Sequence, residues 1–257
     1  MLLSGNDNHT AGIGIQSFSS NYYGYEGILS KRVAIIPEVL KMNGYRTYMA
    51  GKWHLGGDPI ERGFDKTYAL LPGAFTHYDK NKPIREYPDS AFSENGIRKL
   101  WKTGNYSSDF YTDKIIEFIK SNSDKPFFAY ASYTAPHWPL QVDTKYSDKY
   151  KGKYDEGYEA LKIKRFENLK INNFIFKNTE YPSFNTVYPK WENLSNKERA
   201  IESKKMEIYA GMIDNLDSNI GRIIKFLKDI GEYDNTCLLY TSPSPRDATL
   251  SRMPSSA

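Results

Sequence analysis

Helical periodicity and short β-branched or aromatic runs alternate along this chain, and that alternation most restricts what it can fold into. Residues 37–43 carry Pro37 at a first helical position and stop at Gly44, which predicts a short helix. Residues 45–50 predict a strand, followed by a glycine-flanked loop over 51–57. A second helix is expected over 109–121, where Tyr111, Ile115 and Ile119 recur every four residues before Lys125-Pro126 breaks the pattern. Residues 127–132 form an apolar run of the kind buried in a parallel sheet, and they lead into a loop over 133–140. Ser195 with Glu198 three positions later is a capping box. A long helix should follow, with Ile208, Met212, Leu216 and Ile220 on one line and Gly231 at its end. A further strand is expected to begin near Asn235 and Thr236. This order predicts an α/β fold, a mostly parallel sheet flanked by helices, with its functional loops beyond the carboxyl ends of the strands.

A chain of 257 residues suits one domain. No run approaches the roughly 18–20 apolar residues that cross a membrane, and no apolar secretory stretch follows Met1. The 35 basic residues are interspersed with 31 acidic ones. That pattern fits a solvated surface and lacks the clustered charge of a nucleic-acid footprint. Residues 141–195 are rich in Tyr, Lys and Asn with weak periodicity, and read as an insertion holding one or two helices. The single cysteine, Cys237, forms no internal disulfide. From residue 241 the chain turns to Thr-Ser-Pro-Ser-Pro-Arg-Asp, a composition that does not pack. Residues 237–247 resemble an in-frame translation of a transposon adapter used in DNA sequencing libraries, and residues 251–257 that of a flow-cell adapter. Residues 237–257 are therefore expected to be a non-native tail. The start is also abrupt, as if a structural element were entered halfway.

Four histidines occur: His9, His54, His77 and His137. Two lie in the predicted strand-end loops. Gly51-Lys52-Trp53-His54-Leu55-Gly56 sets a lysine two residues from a histidine, which in extended backbone places both on one side. A permanent cation beside an imidazole suits an anionic group. In Ala135-Pro136-His137-Trp138-Pro139 two prolines fix the backbone around a histidine. Either loop alone is compatible with a half-buried, hydrogen-bonded histidine. Two such loops at two strand ends favour a site. His77 reads as structural and His9 as uninformative.

The stretch from Gly44 through Tyr45-Arg46-Thr47-Tyr48-Met49-Ala50 to Gly56 resembles the second signature of the sulfatases, nearly position for position. Arg62-Gly63-Phe64-Asp65 follows as in that family. Ala135-Pro136-His137-Trp138-Pro139 resembles the sulfatase loop carrying another active-site histidine. Tyr209-Ala210-Gly211-Met212 on to Asp217 and Gly221-Arg222 resembles the helix before the second metal-binding segment. Met1 to Gly14 resembles the run after the nucleophile motif in one arylsulfatase branch. The resemblance spans residues 1–236 and implies a partial catalytic domain of the alkaline phosphatase/sulfatase-like fold.

The resemblance further implies a formylglycine nucleophile, made from the cysteine of Cys-x-Pro-x-Arg, and a calcium ion that polarises the sulfate. Lys52 would contact sulfate and nucleophile. His54 would hold a formylglycine hydroxyl. His137 would bind substrate and give a proton to the leaving alcohol. No Cys-x-Pro-x-Arg occurs in the sequence; the resemblance places the family's early Asp-Asp metal pair upstream of Met1, and its later Asp-Asn pair several residues after Asp234-Asn235-Thr236, where the adapter-like stretch stands. The implied substrate is a small-molecule or glycan sulfate ester, hydrolysed by the full-length parent, with this chain itself inactive. A phosphonate or phosphate monoester hydrolase of the same superfamily and a non-catalytic anion-binding protein stand as alternatives. Sulfatases of this kind are often exported, which favours periplasm or the extracellular space. Oligomeric state has no signature in the sequence.

Overall fold

The computed structural model describes residues 2–15, 19–78, 91–101, 104–121, 124–182 and 189–239. The elements, in chain order, are α1 (Ile36–Met42), β1 (Arg46–Lys52), β2 (Lys66–Leu70), β3 (Phe92–Glu94), β4 (Ile97–Lys99), α2 (Ser107–Lys120), β5 (Phe127–Ser132), α3 (Thr144–Ser147), α4 (Gly157–Ile171) and α5 (Asn196–Asp229). The strands form one sheet in the order β4-β3-β2-β1-β5. The β2–β1 and β1–β5 pairings are parallel, as expected, and an antiparallel hairpin of β3 and β4 extends the edge beyond β2. The strands β2, β3 and β4 have no counterpart among the sequence expectations. Asn95 and Gly96 turn the hairpin with φ of 51° and 83°, the left-handed geometry of a two-residue connection.

Two apolar layers sandwich β1 and explain its length. Tyr48 and Ala50 face one side, where α2 supplies Tyr111, Ile115, Phe118 and Ile119, and α5 supplies Phe226. Met49 faces the other side, against Leu3, Ile35, Trp53 and Phe64. The predicted line Tyr111, Ile115, Ile119 is therefore the sheet-facing stripe of α2.

The Arg62-Gly63-Phe64-Asp65 run fastens the second layer. The buried Arg62 guanidinium donates to Glu38 Oε1 at 2.8 Å and to the carbonyls of Leu29 at 2.7 Å and Val33 at 3.0 Å. Phe64 lies edge-on to Trp53 and stacks on Phe128. Asp65 Oδ2 accepts the Thr47 N–H at 3.1 Å. Each buried polar group is thus paired, which avoids the cost of orphaned donors.

The capping box opens α5 as expected: the Ser195 hydroxyl accepts from Glu198 N, and Ser195 N donates to Glu198 Oε2 at 2.8 Å. Its most buried line differs from the expected one. Of Ile208, Met212, Leu216 and Ile220, only Met212 is fully buried; Glu207, Gly211, Asn215 and Asn219 form the deeper stripe. Asn215 and Asn219 donate to Asp109 Oδ1 of α2 at 2.9 and 2.7 Å, so a polar seam joins the helices. The insertion holds α3 and α4, and of α4 only Gly157 is fully buried. The strand expected near Asn235 is not formed there: residues 236–239 are irregular. The tail beyond 239 lies outside the described residues. Among the described residues no helix is long and apolar enough to cross a membrane.

At the carboxyl end of β1, Gly51 has φ 125° and pairs with Ser132 of β5. A Cβ built on Gly51 would run into the Ser132 carbonyl. The substitution Gly51→Ala therefore combines a strained φ with a backbone clash, and is expected to cost about 3 kcal/mol. Urea unfolding of the variant checks this. An unchanged midpoint would show that β1 and β5 can separate without penalty.

Candidate active site

Three neighbouring parallel strands send their loops out along one edge of the sheet. From β1 comes the loop with His54, from β2 the loop with His77, and from β5 the loop with His137. The chain leaves β1 to one side for β2 and later returns to its other side for β5. Strand order reverses around β1, the place where open α/β sheets bind ligands.

Lys52 is the last residue of β1 and is half-buried. Burial pushes its ammonium below the usual lysine range. Among the described residues no ion pair or hydrogen bond to it is formed. The extended alternation that would set Lys52 and His54 on one side ends at Lys52, because His54 has φ 54°. That left-handed geometry is uncommon outside glycine and clusters where function holds the backbone. The main chain around it is fixed by Trp53 N to Leu70 O at 2.8 Å, His54 N to Leu71 O at 3.1 Å, and Trp53 Nε1 to Gly56 O at 2.8 Å. Gly73, on the β2 loop, lies so close that a Cβ there would strike the His54 ring. His54 is held below the usual histidine range by burial, and further by the electrostatic influence of Lys52 and His137. The structure therefore brings Lys52, His54 and His137 together.

His137 is exposed on the β5 loop, and its N–H donates to Thr134 O at 3.0 Å. Its Nδ1 lies 2.7 Å from the carbonyl oxygen of Trp138. A carbonyl only accepts, so Nδ1 carries the hydrogen, and Nε2 is the nitrogen that takes or gives a proton. Both proline bonds of the loop, Ala135–Pro136 and Trp138–Pro139, are cis. The two tryptophans beside the histidines part ways: Trp53 is 4% exposed and belongs to the core, whereas Trp138 is 56% exposed.

His77 is fully buried, consistent with the structural reading, but it contacts the site directly through His137 O. Sequence alone gave no sign of this, since Thr76-His77-Tyr78 has no distinctive spacing. His9 lies apart on the surface, bonded to the Tyr25 hydroxyl at 3.0 Å. No group of three or more His, Cys, Asp or Glu side chains that could hold a metal ion occurs among the described residues.

The carboxyl edge of this α/β sheet thus holds a cation with no ion pair among the described residues, close to His54, which in turn lies within electrostatic reach of His137. The family model described as Sulfatase matches residues 1–242. An uncharacterized sulfatase of Schizosaccharomyces pombe is 38% identical, over 97% of this chain and 49% of its own length. An arylsulfatase of Klebsiella aerogenes is 34% identical, over 93% of this chain and 54% of its own. The crystal structure of Ps i-CgsB in complex with k-i-k-neocarrahexaose superposes with a TM-score of 0.60 at 24% identity, over 91% of this chain and 44% of that one. The chain belongs to the sulfatase family, and it spans about half the length of the curated relatives it matches.

His54 and His77 both have folded pKa values below the ordinary 6.5, burial being the largest cause for each. As pH falls through about 6.5 the unfolded histidines take up protons that the folded ones still refuse, so unfolding gains. Their contribution to stability is thus complete above that pH and is lost below it, down to the depressed folded values. The melting temperature is expected to drop between about pH 7.5 and about pH 5.5, and to drop less in His54→Gln. Equal melting temperatures at both pH values would contradict the shifts.

Proposed function

We propose that this chain carries the sulfate-binding half of a sulfuric ester hydrolase, with Lys52 and His137 as substrate-binding residues and Lys52, His54 and His137 as catalytic ones. The observation that carries the reading is Lys52: a half-buried cation with no counter-ion among the described residues, at the carboxyl edge of the sheet beside two histidines. Burying a charge without a partner is costly, and such a lysine is matched by an anionic ligand. The family membership and the relatives named as arylsulfatases support reading that anion as a sulfate ester.

In this reading Lys52 neutralises charge that builds on the non-bridging oxygens as sulfur becomes five-coordinate. The S–O bond to the alcohol breaks, and the bridging oxygen takes a proton from His137 Nε2. His54, kept neutral, accepts a hydrogen bond from the attacking group. The relatives include an N-acetylglucosamine-6-O-sulfatase of Bacteroides thetaiotaomicron as well as arylsulfatases, so the alcohol part is read as a ring, sugar or aryl. The exposed Trp138 indole beside His137 offers a surface on which such a ring stacks.

The nucleophile is absent: the only cysteine is Cys237, and no Cys-x-Pro-x-Arg occurs. The 257-residue chain is therefore expected to bind inorganic sulfate without hydrolysing aryl sulfates. Calorimetric titration with sulfate should show binding that weakens about tenfold or more in Lys52→Ala. Joined to a segment carrying Cys-x-Pro-x-Arg and to the family's metal-binding segments, the chain should hydrolyse an aryl sulfate, and Lys52→Ala should then lower kcat by about 10²–10³-fold. Faster turnover of the matching aryl phosphate would assign phosphate ester hydrolysis instead. Binding indifferent to Lys52 would sink the proposal.

A further inference from the structure

His77 is 0% exposed, and its ring makes two hydrogen bonds, neither of which an apolar residue could supply. Its Nε2 lies 3.0 Å from the carbonyl oxygen of His137, sixty residues away in sequence. The carbonyl can only accept, so Nε2 carries the ring hydrogen. Burial keeps the imidazole neutral, so Nδ1 must accept, and it does so from the Ser107 hydroxyl at 2.8 Å. The ring is stacked on Tyr106, and Ser107 N donates back to His77 O at 2.9 Å. The first residue of α2 thus sets both the tautomer and the direction of the ring.

A second link runs alongside. Gln141 Oε1 accepts from His77 N at 2.9 Å and from Thr76 Oγ1 at 3.1 Å. The β5 loop is therefore tied to the β2 loop at His137 and again four residues later. The carbonyl that His77 holds belongs to the peptide next to the one whose carbonyl, that of Trp138, accepts from His137 Nδ1. Fixing the first peptide plane constrains the second, and the second orients the imidazole.

We propose that His77 is a positioning residue, which through the His137 carbonyl holds the β5 loop so that the His137 ring faces Lys52 and His54. Stability alone does not single out the ring, since any buried side chain that paired the His137 carbonyl and the Ser107 hydroxyl would avoid the cost of leaving them orphaned. Direction does call for one: a hydrogen bond aimed at a single carbonyl excludes other loop conformations, which apolar packing does not. The inference deepens the functional reading above and rests on it only in saying what His137 is aimed at.

The test follows the His137 Cε1–H signal by NMR in the 257-residue chain, with sulfate titration as a second readout. His77→Leu removes the donor, and Ser107→Ala removes the group that directs it. His77→Gln places an amide N–H near the position of Nε2 and is the conservative rescue. Ile115→Ala is a control that destabilises the core away from the loop. The expected result is a displaced or broadened His137 signal in His77→Leu and Ser107→Ala, a signal near its original position in His77→Gln, and no displacement in Ile115→Ala despite a lower melting temperature. Sulfate binding should weaken about tenfold in His77→Leu and recover in His77→Gln. Should His77→Leu not fold, Ser107→Ala carries the same readout. A His137 signal that stays in place in the folded variants overturns the inference and leaves His77 as core packing. If the unaltered chain shows no response to sulfate, the functional reading fails, while the His137 signal still decides the role of His77.

Discussion

The contact on which the site depends is the approach of β1 to β5 at Gly51. The missing side chain lets the Ser132 carbonyl sit where a Cβ would otherwise be. That approach brings the ends of the two strands level, with Gly51 opposite Ser132, so the loops that follow start from the same edge. Lys52 is one residue beyond the contact and the β5 loop begins one residue beyond its partner. A wider spacing at this point would separate the cation from His137 without disturbing the core on either face of the sheet. The glycine thus acts on the chemistry by geometry alone.

Much of this was legible in the sequence where one physical rule dominates. The apolar spacing of α2, the capping box of α5 and the short strand β5 each follow from periodicity or end chemistry, and all three are formed. The hairpin of β3 and β4 was legible in principle, since Asn95-Gly96 is a strong turn signal, but strands of three residues give no alternation to read. The face of α5 was misread for a different reason. Hydrophobic periodicity assumes that what is buried is apolar, whereas here Asn215 and Asn219 are buried because Asp109 on another helix accepts from both. A contact between residues more than a hundred positions apart leaves no local trace.

The site divides in the same way. Lys52, His54 and His137 stood out because each lies in a loop bounded by glycine or proline, and the structure gathers them. The extended geometry assumed for Lys52 and His54 does not hold, since His54 turns left-handed one residue after Trp53. Trp53 and Trp138, alike in the sequence, have opposite fates because Trp53 has Phe64 to pack on. The Arg62-Gly63-Phe64-Asp65 run, conspicuous as a motif, serves the fold: its charges are spent on Glu38, on main-chain carbonyls and on the start of β1.

The three loops that make the site follow β1, β2 and β5, strands drawn from well-separated parts of the chain. Nothing of the pocket exists in any short stretch: the link from His77 to His137 spans sixty residues and needs α2 in place first. Long-range closure of this kind is what slows folding, because the entropy of the intervening chain is lost before the contact returns anything. The cluster of loops is accordingly expected among the last features to form as the chain folds and among the first lost when the edge of the sheet opens. Its integrity is a sensitive gauge of native topology, sharper than helix content, which α5 alone would keep high.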